Sequence, residues 1–416
     1  MKPLAAALEP KLATLTVPLA LILPDGTRFG ATAPRVTMTL REWPPLARLA
    51  TGAVGRVAED YVAGRVDLDG SMRDIAEIAA QLVDGDPTAP NGNGMLHWWH
   101  DMLALGRSLA KHTREADARQ IAFHYDVSDD FYALWLDPQR VYSCAYFPRA
   151  DMTLAEAQAA KLDHICRKLM LEPGDRLLDI GAGWGALLLR AAEHYGVQAH
   201  GITLSKNQHT HVQRLIDGRG LGQRVSVELC DYRELAEDRP WNKIASVGMF
   251  EHVGRAQLPA YFAKIRRLLA PGGLLLNHGI TAGGTRNDRL GAGIGDFVDR
   301  HIFPGGELLH LSRVLHDMAE AGLEALDVEN LRPHYARTRW GWSDALEANL
   351  ERASALAADN VVRAYRLYLA GSAVSFERGW ISLAQTLAAR PSGDIAGEPM
   401  RGAQSPYPFN REYQYR

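Results

Sequence analysis

Arg176-Leu177-Leu178-Asp179-Ile180-Gly181-Ala182-Gly183-Trp184-Gly185 decides the fold of this 416-residue chain. A short apolar run ends in an acid and then a Gly-x-Gly-x-Gly turn, and 186–195 reads as a helix. The order is strand, tight turn, helix. Glycine lets the backbone bend sharply and lets a ligand come close. The helix behind the turn aims free N–H groups at that ligand. Alone, such a turn suits a dinucleotide or the amino-acid end of S-adenosylmethionine, because many doubly wound folds carry something similar.

Downstream the alternation continues. Strands are expected at 198–203, 224–229, 243–249 and 274–280, with helices at 205–217 and 258–269. Pro271-Gly272-Gly273 is read as the stop between the last helix and strand. This alternation implies a parallel sheet with right-handed crossovers. Ligands of such sheets sit at the C-terminal strand ends, where Gly181, Thr203, Asp231, Glu251 and His278 fall. After Ile280 the pattern breaks. A polar loop spans 281–289, a helix 308–321, a strand 323–331 and a long helical insertion 343–372. Segment 380–389 reads equally as a last strand or a continuing helix.

Upstream, 1–84 reads as a small α+β unit. It has strands at 15–23 and 36–40, a Pro24-Asp25-Gly26-Thr27 turn, and helices at 44–53 and 72–83. Asp84 to Gly94 is dense in turn formers and reads as a linker, and a helix is expected at 95–117. The expected division is therefore 1–84, 85–118 and 119–416. Aromatic loops at 121–132 and 141–147 look like pocket lining, and 153–169 reads as a helix.

Hydrophobic residues make up 47% and charged residues 23%, ordinary values for a soluble globular protein. A net charge of -3 argues against a nucleic-acid partner. The three cysteines are widely spaced, and no Cys-x-x-Cys or His-Glu-x-x-His occurs, so neither a disulfide framework nor a metal is expected. His97 and His100 share a helix face. Two ligands without a third make a poor metal site, and an aromatic packing patch is the preferred reading. The N-terminus lacks a signal-peptide layout, and the apolar run 17–23 is too short to span a bilayer, so a cytoplasmic protein is expected.

Seven stretches in one order carry a resemblance. They are His124-Tyr125-Asp126, Tyr142-Ser143-Cys144-Ala145-Tyr146-Phe147, the glycine turn, Thr203-Leu204-Ser205-Lys206-Asn207-Gln208, Gly248-Met249-Phe250-Glu251-His252-Val253-Gly254, Ile302-Phe303-Pro304-Gly305-Gly306 and Pro333-His334-Tyr335-Ala336. Over roughly residues 120–390 the chain resembles the cyclopropane-fatty-acyl-phospholipid synthases and the related mycolic acid cyclopropane synthases, class I S-adenosylmethionine-dependent methyltransferases. The first unit is also similar to the N-terminal domain of the bacterial phospholipid enzymes, through Leu23-Pro24-Asp25-Gly26 and Glu59-Asp60-Tyr61-Val62-Ala63-Gly64. The mycolic acid enzymes lack that domain, so its presence implies an intact phospholipid substrate. The family's turn usually reads Gly-Cys-Gly-Trp-Gly; Ala182 replaces the cysteine here, and a small residue keeps the turn.

The implied fold is α/β, a doubly wound, mostly parallel seven-stranded methyltransferase sheet with a helical insertion, plus a small N-terminal α+β domain. The implied cofactor contacts are Tyr142, Ser143, Gly181, Gly183, Thr203, Leu204 and Gln208, with Asp231 and Tyr232 at the adenine. No acid stands at Thr203 to hold the ribose, which leaves Gln208 for that task; Asp179 caps the turn or has a role still open. The resemblance further implies a bound bicarbonate as base. Cys144, Glu251, His278, Ile280 by its backbone, and Tyr335 would hold it.

The chemistry fits such a set. A carbon–carbon double bond is a weak nucleophile that no base activates, so catalysis rests on alignment in a dry pocket. Methyl transfer leaves a carbocation on the chain, which aromatic faces stabilise. One proton must then leave the new methyl group to close the ring. Each residue also has a plainer reading: Cys144 as packing, His278 as a core histidine, Glu251-His252 as a helix cap, Tyr335 against Trp340. Convergence at strand ends around one cofactor favours the functional reading. Cys144 as a covalent nucleophile lacks an adjacent base.

The expected activity is methylene transfer across a cis double bond of phospholipid acyl chains, on a cytoplasmic protein that visits the inner face of the membrane. The bacterial relatives suggest a homodimer. Rival readings are a C-methyltransferase giving a methyl or methylene branch, and a lipid-binding protein with a degenerate methyltransferase fold. Arg352, Arg363, Arg366 and Arg378, set among Val361, Val362, Leu367, Leu369 and Phe376, suit either an anionic membrane surface or a helix turned to its own core.

Overall fold

The glycine turn lies at the end of a central strand of the larger of two sheets. The computed structural model describes residues 2–83, 85–89, 108, 128–285, 289–392, 408 and 410–415. The helix expected at 95–117, with His97 and His100, and the stretch His124-Tyr125-Asp126 lie outside the described residues.

The first unit holds a four-stranded mixed sheet of β1 (Leu19–Ile22), β2 (Arg28–Gly30), β3 (Val36–Leu40) and β4 (Val66–Asp69), in the order β2-β1-β3-β4. Its helices are α1 (Lys2–Ala13), α2 (Pro44–Ala50), α3 (Val54–Val62) and α4 (Met72–Leu82). The first strand is shorter than the apolar run 15–23, because Pro18 has no N–H to give a ladder. The helix expected at 44–53 stops at Ala50, before Gly52 at φ 67, and a second helix follows.

The second sheet has seven strands: β5 (Arg176–Ile180), β6 (Gln198–Thr203), β7 (Val225–Leu229), β8 (Trp241–Val247), β9 (Leu269–Ala282), β10 (Glu324–Asn330) and β11 (Ile381–Ala389). Their order is β10-β11-β9-β8-β5-β6-β7. The five strands from β5 to β9 are parallel to one another, and β11 runs antiparallel between β9 and β10. Among its helices are α5 (Asp129–Ala133), α6 (Leu154–Lys168), α7 (Ala186–Tyr195), α8 (Lys206–Gly218), α9 (Leu258–Leu268), α10 (Ile294–His301) and α11 (Leu311–Glu320). Alternate residues of one strand feed two cores. Leu177, Ala245 and Leu276 pack on one face, and Leu178, Ile244 and Leu275 on the other. Burial on both faces explains why these strands read as continuous apolar runs.

Three expectations are corrected. Pro271-Gly272-Gly273 does not separate helix from strand: Gly272 donates its N–H to the Arg390 carbonyl at 2.8 Å, and Arg390 returns one to Gly273 at 3.0 Å, so sheet pairing absorbs the turn. The helical insertion starts well before 343, as α12 (Arg332–Glu347), α13 (Leu350–Leu356) and α14 (Asp359–Glu377), with Pro333 in the first turn, where its missing N–H costs nothing. The helix expected from 308 begins at Leu311 because Leu309 forms a bridge with Thr281. The open segment 380–389 is strand β11, and Gly379 at φ 72 ends the helix before it.

Between the two readings of the α14 arginines, the core-facing one is observed. Arg363 donates to the Tyr61 carbonyl at 2.9 Å and to Asp67 at 3.1 Å. Arg366 reaches Glu347 and the Tyr61 hydroxyl, both at 2.6 Å, and Arg378 reaches Glu77 at 2.7 Å. Arg352, on α13, donates to Asn349 at 3.3 Å. Val362, Leu369 and Phe376 are buried. The insertion therefore ties the seven-stranded sheet to the first unit, and Ala370, Ala373 and Val374 enter the first unit's core. Among the described residues no helix is long and apolar enough to cross a membrane.

Candidate active site

Two adjoining cavities open at the C-terminal ends of β5, β6, β8 and β9. The first, of about 150 Å³, is lined by Gly181, Gly183, Thr203, Leu204, Gln208, Asp231 and Tyr232, among others. The second, of about 200 Å³, is lined by Glu251, His278, Ile280, Tyr335 and a mostly apolar wall. Tyr142, Ser143, Gly248 and His252 line both.

In the first cavity Gly181 and Gly183 hold left-handed backbone, φ 83 and 55. A Cβ built on Gly183 would meet nothing within 4 Å, so that position faces open space. The Thr203 hydroxyl donates to Gln208 Oε1 at 2.8 Å, and Ser205 caps the helix by accepting from the Gln208 N–H at 3.3 Å. The Asp231 carboxylate accepts two hydrogen bonds from the Arg233 guanidinium, at 2.8 and 2.6 Å. An adenine amino group would therefore meet an ion pair there, not a bare carboxylate. The Tyr232 ring meets Tyr261 edge-on at 5.0 Å.

Sequence reasoning missed Lys161, which lies on the apolar face of α6. Buried, it donates to Ser143 Oγ at 3.0 Å and lines the first cavity beside Asp179. Burial pulls its ammonium down to about 8 and pushes the Asp179 carboxyl up to about 7, against the pull of Lys161. The available signal was a lysine in register with Leu162 and Ile165. Lys161→Met frees Ser143, and it should weaken binding of the S-adenosylmethionine that the resemblance implies about tenfold, the scale of one charge-assisted hydrogen bond. Equilibrium dialysis checks this, and unchanged affinity would remove Lys161 from the site.

In the second cavity Glu251 Oε1 accepts the Ile280 N–H at 2.6 Å, while Oε2 is buried without a partner. Burial pushes this carboxyl up to about 7. His278 faces Gln385 across the β9–β11 ladder; Gln385 Nε2 lies 3.1 Å from Nδ1, and Nε2 is buried without a partner. Burial holds His278 well below its ordinary value, so the ring is neutral. The Tyr335 hydroxyl accepts from Arg339 at 2.6 Å and its ring packs on Phe376 at 4.6 Å, with no ring contact to Trp340. Two expected members sit differently. Cys144 does not line the cavity: its buried thiol lies 3.8 Å from the Leu331 carbonyl, and burial pushes its pKa far up, which argues against a nucleophilic role. The Ile280 N–H is given to Glu251. Arg339, Tyr368 and Gln385 were not foreseen.

A mostly parallel sheet with one antiparallel strand beside its edge, and a glycine turn opening on a cavity, define an S-adenosylmethionine-binding methyltransferase. The mycolic acid cyclopropane synthetase family model matches residues 112–386. A probable fatty acid methyltransferase of Pseudomonas putida is 41% identical over 417 residues, 99% of this chain and 100% of that one. Cyclopropane mycolic acid synthase 1 of Mycobacterium tuberculosis is 43% identical over 270 residues, 63% of this chain and 93% of its own. The crystal structure of mycolic acid cyclopropane synthase CmaA1 complexed with SAH and CTAB matches with a TM-score of 0.62 at 41% identity, covering 65% of this chain and 98% of that one. The chain belongs to the mycolic acid cyclopropane synthetase family of S-adenosylmethionine-dependent methyltransferases. The glycine cradle, Gln208 and the space at Gly183 fit that cofactor.

Proposed function

We propose that the protein adds a methylene bridge across a cis double bond of phospholipid acyl chains. One observation carries this reading: an apolar, aromatic cavity adjoins the cofactor site and surrounds a few buried polar atoms without partners. When bound, S-adenosylmethionine supplies an electrophilic methyl group. The apolar wall excludes water and aligns the alkene with it. The rings of Tyr335, Tyr368 and Phe376 offer π-faces to positive charge developing on the chain. Held by Glu251, His278 and Tyr335, a bicarbonate would supply the base for the proton lost on ring closure. Residues 1–84 would handle the lipid, 85–118 link, and 119–416 catalyse; the protein would work transiently at the inner membrane face, with pairing of two copies through the first unit.

The second reading, a fatty-acyl C-methyltransferase, is favoured by the name of the Pseudomonas putida relative. Both readings share the carbocation and differ in which proton leaves. The test uses vesicles of defined cis-unsaturated phospholipid, labelled cofactor and bicarbonate, with NMR of the product lipid. Cyclopropane signals are expected. Olefinic methylene protons in their place would establish the branch-forming reaction, and no turnover at all would point to a lipid-binding protein.

A further inference from the structure

His164 of α6 lines neither cavity, yet it is wholly buried and hydrogen-bonded at both ring nitrogens. Its Nε2 lies 2.6 Å from a Glu329 carboxylate oxygen, and its Nδ1 lies 3.0 Å from the Gln414 carbonyl oxygen. Both partners accept, so both ring nitrogens donate. Glu329, on β10, also accepts from Lys168 Nζ at 2.5 Å. Burial raises the Glu329 carboxyl, but the His164 hydrogen bond and the Lys168 charge outweigh it and hold the group down at about 2. Gln414 belongs to a short stretch, 411–415, that docks on this cluster through the 3₁₀ turn Glu412–Gln414. Gln414 is 1% exposed, and its carbonyl also accepts from Arg167 Nε at 3.2 Å. Arg411 pairs with Asp327 of β10 at 2.8 Å, and the Tyr415 ring centre stands 5.8 Å from that of His164.

A row of planar groups leads from the cluster to the acceptor cavity. The His164 ring lies flat on Tyr146, with centres 4.2 Å apart and planes 4° from parallel. Tyr146 stacks in turn on His334 at 4.9 Å. His334 Nδ1 accepts the Phe147 N–H at 3.0 Å. The Thr338 hydroxyl accepts the Ala145 N–H at 3.0 Å and donates to the His334 carbonyl at 2.7 Å. The loop 145–147 and the first turns of α12 are thus fastened together, and Tyr335, next to His334, lines the cavity. Stacking alone leaves a ring free to shift in its own plane. A bond at each nitrogen of His164 removes that freedom. Packing alone would ask for an apolar ring here, since burying polar groups costs stability unless every one is paired.

We infer that His164 is a positioning residue for the acceptor site and that the stretch 411–415 is its strap: the strap and Glu329 fix the His164 ring, whose face sets Tyr146 and, through His334, Tyr335. The inference deepens the proposed function and rests on its reading of the second cavity as the place of the acceptor.

The experiment compares wild type with His164→Phe, which keeps a ring face and loses both hydrogen bonds, and with a strap variant carrying Arg411→Ala and Tyr415→Ala. Amide hydrogen exchange at 143–147 and 334–338 reads the coupling without any substrate. Turnover on cis-unsaturated phospholipid vesicles, S-adenosylmethionine affinity and melting temperature are read beside it. Both variants should exchange about tenfold faster in those two stretches, the scale of one charged hydrogen bond. Their kcat should fall about tenfold to a hundredfold, as a displaced reacting group costs, while cofactor affinity and the KM for lipid stay near wild type. A folded His164→Phe with wild-type exchange and kcat overturns the inference. So does a parallel loss of kcat, lipid KM and cofactor affinity, which marks a general structural role. Should His164→Phe fail to fold, the strap variant decides by the same measures, because Arg411 and Tyr415 are exposed. A strap variant that behaves as wild type beside an impaired His164→Phe overturns the strap and keeps His164. Wild type that turns over no lipid removes the proposed reaction, and exchange alone then decides the coupling.

Discussion

Glu251→Gln is expected to lower turnover about 10²–10⁴-fold, the range for loss of a positioned acid or base, while S-adenosylmethionine affinity stays near wild type. Glutamine keeps the shape and can still accept the Ile280 N–H through its carbonyl oxygen. It cannot relay the proton that the proposed bicarbonate base would take from the new methyl group. Burial raises the Glu251 carboxyl from 4.5 to about 7, so its protonated form prevails below that pH. Wild-type activity should therefore rise as pH passes through about 7, and the variant should lose that limb. The stability linkage has the opposite sense. A raised carboxyl binds more protons folded than unfolded, so Glu251 costs increasing stability as pH climbs from 4.5 through about 7. In Glu251→Gln that slope should flatten, readable from urea melts across the same window. Full activity in the variant would remove Glu251 from the chemistry.

The second large effect is expected at Gly55. There α3 of the first unit meets the N-terminus of α10 backbone to backbone: the Gly55 N–H donates to Ala292 at 3.0 Å, and a Cβ on Gly55 would lie 2.0 Å from the Gly293 carbonyl oxygen. Neither side is a flexible side chain, so the two helices must move apart. Gly55→Ala should cost at least about 1–3 kcal/mol of stability, as overpacking does. It should also raise the KM for lipid, because Ile294, Phe297 and Val298 of α10 form a wall of the acceptor cavity. Cofactor affinity should hold, since the glycine cradle takes no residue from either helix. A variant with unchanged melting and lipid kinetics would show that the contact is dispensable.

The cofactor half of the site was legible in the sequence because it is local. Gly181 and Gly183 lie in one turn, and Thr203, Leu204 and Gln208 lie within six residues, at the end of β6 and the start of the helix behind it. Burial on both faces gave β5 and the middle of β9 their short apolar runs, Leu177-Leu178 and Leu274-Leu275-Leu276. The acceptor half was legible in part. Glu251 follows the end of β8, as its place in the sequence suggests, whereas His278 lies inside β9, which runs on past the expected end at 280 to Ala282. Arg339 stayed hidden because its meaning depends on where α12 begins. Starting at Arg332 and not near 343, the helix sets Tyr335 and Arg339 at i and i+4 on one buried face. Gln385 was beyond reach for a different reason: only the antiparallel register of β11 on β9 sets it opposite His278. Lys161 shows a third limit, since a buried lysine and a snorkelling one share the same sequence pattern.

The place of β11 also sets a timetable. It follows every other strand in chain order yet occupies an inner position, between β9 and β10. A ribosome-bound chain ending short of residue 381 can assemble the glycine cradle, because β5 to β9 and their helices are already made. It cannot orient His278, whose partner Gln385 has not been synthesised. Until β11 slots in, β9 is a bare edge with a run of unsatisfied amides, open to pairing with any extended chain nearby. As the chain lengthens, cofactor binding is therefore expected to appear before turnover, with the β9 edge exposed in the interval between the two.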